Sequence, residues 1–218
     1  GRMTNSKLWK VTTNSLDSDR IFHRKIVNGV HRNLTIGILM DYSGSMSSSI
    51  TMQRRIAVLM NDVLTRYPNI KVLNFSHQGG SDRYNDVRGF ESLEALAGHD
   101  CRGGTEEGAA YAMCARKIIQ EGDRKSRKIL FAIGDGCSDR ESIKNSVSLA
   151  RNAGVETVDI LLSYGGRNGN ERLFEQCEEA YGKGQVAVVQ PDQAESQITT
   201  ILVPWMTRLM SKLRKEIV

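Results

Sequence analysis

Short apolar runs alternate with helical patterns along this chain, and that alternation leaves few folds open to it. Leu34–Met40, Lys71–Ser76, Ile129–Gly134, Glu156–Leu162 and Gln185–Val189 have strand length and are rich in aliphatic residues. Between them, Ile50–Tyr67, Arg140–Asn152 and Glu171–Ala180 carry apolar residues at helical spacing, as do Ala109, Ala110, Met113, Cys114 and Lys117. In the first of these segments the expected inward stripe is Ile56, Met60, Val63, Leu64 and Tyr67. Apolar strands separated by helices read as a parallel sheet covered on both faces. The expected fold class is α/β, with a doubly wound, mostly parallel sheet and one antiparallel edge strand. That edge strand is expected near Asp86–Phe90, after a turn in the polar stretch His77–Asn85. A small helix over Glu91–Ala97 and a long last helix from Pro191 are also expected, the latter kinked or restarted at Pro204.

A length of 218 residues suits one such domain. It is expected over residues 33–218, with residues 1–32, where apolar and basic residues mix, as an N-terminal extension. Gly1-Arg2 ahead of Met3 reads as an artificial lead, so the natural start is expected at Met3 or in a longer protein. No apolar run has the length of a membrane span and no signal-peptide pattern opens the chain, so a cytoplasmic protein without a membrane partner is expected. The formal charge of +5 comes from scattered pairs such as Arg54-Arg55 and Arg124-Lys125, without an aromatic-interleaved basic motif. No nucleic-acid partner is expected. Cys101, Cys114, Cys137 and Cys177 form no CxxC pair, which speaks against zinc. Cys114 and Cys177 fit as small core residues, while Cys101 and Cys137 flank two loops of interest, as unreactive thiols or as neighbours.

Those loops carry the chemistry. Asp41-Tyr42-Ser43-Gly44-Ser45 follows the first apolar run, Asp135-Gly136 ends another, and Gly103-Gly104-Thr105 leads into a helical pattern. Ligands of an open parallel sheet collect outside the carboxyl ends of its strands, where these loops would stand. Two carboxylates and three hydroxyls are the oxygen donors that hard divalent cations take. Gly44 is expected to allow the tight turn between the serines, and Gly103-Gly104 a close approach of the Thr105 loop. Each piece has a plainer reading, with the serines or Thr105 capping helices and Asp135-Gly136 a simple turn. Glu106, Glu107 and Asp139 add negative charge that would strengthen a cation or repel an acidic ligand. His23, His31, His77 and His99 show no ligand spacing, although His77 and His99 fall in loops that could line the mouth of the site.

The order Asp41-x-Ser43-x-Ser45, Thr105, Asp135 resembles the metal-ion-dependent adhesion site of the von Willebrand factor type A (VWA) domain family. That resemblance implies a VWA, Rossmann-like fold and a Mg²⁺ or Mn²⁺ cofactor. Ser43 and Ser45 would bind it through their hydroxyls, Thr105 directly or through water, and Asp41 and Asp135 mainly through water. It further implies a protein partner that supplies an acidic residue to the cation, and an AAA+ ATPase beside which such a module works. The sequence is also similar to the VWA-bearing subunit of aerobic cobalt chelatase and its phage and bacterial relatives, in the mixed lead-in, the Asp-x-Ser-Gly-Ser-Met run, the Gly-Gly-Thr loop and the strand Lys128–Asp135. The alternative this implies is a non-catalytic subunit of an ATP-dependent metal chelatase acting in tetrapyrrole biosynthesis. A hydrolase is the weakest reading. Ser43 lacks the preceding glycine of a nucleophile elbow, Asp41 lacks a second aspartate two residues on, and no phosphate-binding loop occurs.

Overall fold

A computed structural model describes residues 34–79, 85–90, 100–104, 106–136, 139–163, 170–190 and 197, the segment 85–90 as backbone only. Residues 1–32, the helix expected over Glu91–Ala97 and all but residue 197 of the one after Pro191 lie outside the described residues.

The apolar run that precedes the Asp-Ser-Ser loop forms β1 (Leu34–Asp41), buried along its whole length. It lies inside a six-stranded sheet of order β3-β2-β1-β4-β5-β6. Parallel partners flank it on both sides, β2 (Ile70–Gly79) and β4 (Arg127–Gly134), with Ile38 opposite Asn74 and Phe131. β5 (Val155–Leu162) and β6 (Val186–Val189) continue in parallel, and β3 (Asn85–Phe90) runs antiparallel along β2. The described helices are α1 (Ile50–Thr65), α2 (Glu107–Glu121), α3 (Arg140–Asn152) and α4 (Glu171–Tyr181). None of them is long and apolar enough to cross a membrane.

Successive β1 residues point to opposite faces, and both faces are covered. Ile36, Ile38 and Met40 pack with Ile56, Ala57, Met60 and Leu64 of α1. On the other face Leu39, Leu130 and Ala132 share a core with Ala110, Tyr111, Cys114 and Ile118 of α2 and with Ile143 and Val147 of α3. This double burial is why the strands read as continuous apolar runs instead of alternating ones.

Two helix faces differ from the sequence reading. In α1 the inward row is Gln53, Ile56, Ala57, Met60 and Leu64, while Val63 is 39% exposed and Tyr67 falls beyond the helix. In α2, Ala109, Met113 and Lys117 face outward, and Ala110, Tyr111, Cys114, Ala115 and Ile118 face the sheet. A shift of one residue turns a helix face by about 100°, and here bulky Tyr111 and Ile118 set the face. β2 also extends past Ser76, so His77 is a buried strand residue and does not line the mouth of a site.

Candidate metal centre

Chain direction along the sheet switches between β1 and β4, because β1 is followed by β2 on one side and β4 is added later on the other. At such a switch point the loops part and leave a crevice. Asp41 is the last residue of β1, and Asp135 follows β4 directly on the adjacent strand, where Met40 stands opposite Ile133.

Backbone and side-chain bonds draw the Asp-Ser-Ser loop into a compact turn. Asp41 Oδ1 accepts from the Ser43 amide at 2.7 Å, and the Asp41 carbonyl accepts from Gln53 Nε2 at 2.7 Å. The Ser43 and Ser45 hydroxyl oxygens are 3.0 Å apart, and Ser45 Oγ donates to Asp135 Oδ1 at 3.2 Å. Asp41, Ser43, Ser45 and Asp135 therefore gather at one place; Thr105 lies outside the described residues. The loop that carries Thr105 is joined to the same turn by two backbone bonds. The Arg102 amide donates to the Tyr42 carbonyl at 3.0 Å and the Gly44 amide to the Gly103 carbonyl at 3.1 Å. Gly103 has φ 73°, left-handed backbone that favours glycine. At Gly104 a Cβ would meet no heavy atom within 4 Å, so no close approach there requires a glycine.

The capping reading does not describe the serine hydroxyls; that of Thr105 lies outside the described residues. Ser43 stands before the 3-10 turn Gly44–Ser48 and Ser49 before α1, and neither makes a side-chain cap bond. Glu106 makes none before α2. Asp139, by contrast, caps α3 by accepting from the Ser142 amide at 3.1 Å. Glu107 is buried, and burial first, then the charges of Asp159, Asp41 and Asp135, raise its carboxyl well above the ordinary range, which favours the neutral acid.

Burial raises the Asp135 carboxyl above its ordinary range; the Ser45 bond opposes the shift and the charge of Asp41 adds to it. His77 Nε2 stands 3.6 Å from Asp41 Oδ1. Burial lowers the His77 pKa against the pull of Asp41, which favours a neutral ring and leaves the carboxylate uncompensated from that side. Cys101 packs against the core on the α1 side, and its thiol is raised mainly by burial, as an unreactive sulfur would be. Cys114 and Cys177 are fully buried, while Cys137 and the other three histidines lie outside the described residues.

The donor set fits a hard divalent cation. Among the described residues no cluster of three or more His, Cys, Asp or Glu side chains occurs, and the centre offers hydroxyl and carboxylate oxygens instead of the nitrogen and sulfur that zinc prefers. Adjacent ligands of an octahedral Mg²⁺, at about 2.1 Å from the ion, are about 3.0 Å apart. The Ser43–Ser45 oxygen separation is 3.0 Å.

Gln53 was not singled out from the sequence, although its place in the apolar row with Ile56, Ala57 and Met60 marks a buried amide that must bond something. Glu107 is read from the sequence only as negative charge near the site, and nothing local signals its burial.

No protein-family model matches the chain, and no curated protein matches it by sequence. Solved structures do match in shape. The SpRpn10 VWA domain superposes with a TM-score of 0.57 at 14% identity, over 77% of this chain and 94% of that one. The fold is that of a VWA domain. The pilus adhesin SpaC from Lactobacillus rhamnosus GG matches with a TM-score of 0.63 at 10% identity, over 81% of this chain, which spans 30% of the adhesin. The manganese-loaded TRAP protein of Plasmodium vivax matches the same VWA fold with a TM-score of 0.54 at 14% identity, over 77% of this chain and 72% of that one.

Proposed function

We propose that this VWA domain is a divalent-cation-dependent protein-interaction module, with Asp41, Ser43, Ser45, Thr105 and Asp135 as the metal centre and Mg²⁺ or Mn²⁺ as its ion. The observation that carries the reading is the oxygen cluster of Ser43, Ser45 and Asp135 beside Asp41 at the switch point of the sheet. The manganese-loaded TRAP structure, which shares the fold, supports the choice of ion. When bound, the cation supplies a coordination position for a carboxylate from a partner protein.

The chain's own residues prepare that position. Ser43 and Ser45 offer neutral oxygens, which leave the ion electrophilic. Asp41 and Asp135 nearly neutralise its charge, and the Ser43 amide with Gln53 holds Asp41 and its carbonyl in place. We place the partner among AAA+ ATPases of the cytoplasm, with the chain as their adaptor and not an enzyme by itself. Membership of a cobalt or magnesium chelatase complex is a narrower form of the same proposal and rests on the sequence resemblance alone.

The test is a pull-down from the source cell, with the full chain as bait, in Mg²⁺ and in chelator. An AAA+ ATPase captured in Mg²⁺, released by chelator and missed by Ser43→Ala/Ser45→Ala bait is the expected result. Capture that ignores both chelator and substitution would refute the cation-dependent reading.

A further inference from the structure

Glu107 opens α2, and its side chain is buried, 6% exposed, within electrostatic reach of Asp159 and of Asp41 and Asp135 in the loop cluster. Its Oε1 accepts a 2.5 Å hydrogen bond from the hydroxyl of Tyr181, the last residue of α4. Tyr111, one turn along α2, meets the Tyr181 ring edge-on with centroids 5.7 Å apart. Arg151 of α3 donates to the Tyr181 carbonyl and, at 2.8 Å, to Thr157 Oγ1 of β5. Three helices and a strand thus meet at one tyrosine, and Glu107 ties the start of α2 to it.

This tether is costly. A carboxyl removed from water is unfavourable unless fully bonded, and Glu107 Oε2 is buried with no hydrogen-bond partner among the described residues. An apolar pair of similar volume would hold the three helices together as well or better. The local alternative for fixing a helix start is a side-chain cap, which α3 has in Asp139 and α2 lacks. The Tyr181–Glu107 bond therefore anchors the first turn of α2 from within the core. On the other side, the loop leading into that turn is bonded to Tyr42 and Gly44 of the Asp-Ser-Ser turn.

We propose that Glu107 and Tyr181 are positioning residues of the metal centre: their bond fixes the first turn of α2, and with it the loop that faces Ser43 and Ser45. The inference rests on the metal reading above. Its test is calorimetric titration of Mn²⁺ into the full chain, with thermal melts in chelator run beside it. Glu107→Leu/Tyr181→Phe removes both partners of this bond together. It is expected to melt at or above the wild-type temperature and yet bind Mn²⁺ about tenfold more weakly. Glu107→Gln still accepts the Tyr181 hydroxyl and should stay within about twofold of wild type. Wild-type affinity in the double variant, or an equal loss in Glu107→Gln, would overturn the inference while leaving the metal reading intact. A wild-type chain that takes up no Mn²⁺ would overturn the metal reading and this inference with it.

Discussion

The two ends of the sheet treat their polar groups in opposite ways. At the amino-terminal end Thr35 Oγ1 lies 3.0 Å from Ser126 Oγ, Ser126 donates to the Asp123 carbonyl at 2.8 Å, and Lys128 donates to the carbonyls of Asp123 and Ser126 at 3.1 and 2.9 Å. Lys128 is 9% exposed, so this end has brought its own cation inside. At the carboxyl end Asp41, Ser43, Ser45 and Asp135 collect two carboxylates and two hydroxyls. Among the described residues neither carboxylate has a Lys or Arg within ion-pair distance; the partner of Asp41 is His77, which burial favours as neutral. One end has spent its polar groups on folding. The other holds charge that a cation from solution can neutralise.

Substitutions at the two ends should therefore separate binding from stability. The largest effect is expected from Ser43→Ala/Ser45→Ala, which should weaken Mn²⁺ binding about a hundredfold or more in calorimetry and change urea stability by less than about 1 kcal/mol, since Ser45 is exposed and neither serine caps a helix. Lys128→Ala should do the reverse. It should cost about 2 kcal/mol in urea unfolding, because two carbonyls lose a charged donor in a nearly dry site, and should leave Mn²⁺ affinity unchanged. If it weakened the metal as strongly as the serine pair does, the contrast between the ends would be lost. Gly103→Ala is expected to cost about 1 kcal/mol by forcing a side chain into left-handed backbone, read by thermal melting.

A subtler effect concerns the buried acid of β5. Asp159 is raised well above the ordinary carboxylate range, first by burial and then by its contact with Cys177. A folded-state value above the unfolded one means that the native chain holds the proton more tightly, so this contribution is full below about pH 4 and is lost as pH rises toward the folded value. Urea stability of Asp159→Asn should accordingly fall less between pH 5 and pH 8 than that of wild type. An equal slope in both proteins would remove Asp159 from the account.

The strands and the three loops were legible in the sequence because their signals are local: an aliphatic run of strand length, then Asp, Ser or Gly. The helices of the second half were legible for the same reason, with Arg140–Asn152 found at those bounds. What was missed depends on contacts between residues far apart in the chain. Glu107 meets Tyr181 across 74 residues, and nothing in the sequence around Glu107 signals that it is buried. The α2 face was misjudged by one position because Ala109 and Met113 mimic an apolar row, and the packing of Tyr111 decides between the two. His77 was taken for a loop residue because polarity ended the strand reading at Ser76, while pairing with β1 and β3 carries β2 on to Gly79.

The most direct test of the metal centre is calorimetric titration of Mg²⁺ and Mn²⁺ into the wild-type chain and into Asp41→Ala. The expected result is saturable binding of one ion per chain in the wild type and none in Asp41→Ala. Binding that is absent from both proteins, or equal in both, would contradict a metal centre at this switch point and reduce the Asp-Ser-Ser turn to a structural feature of the fold.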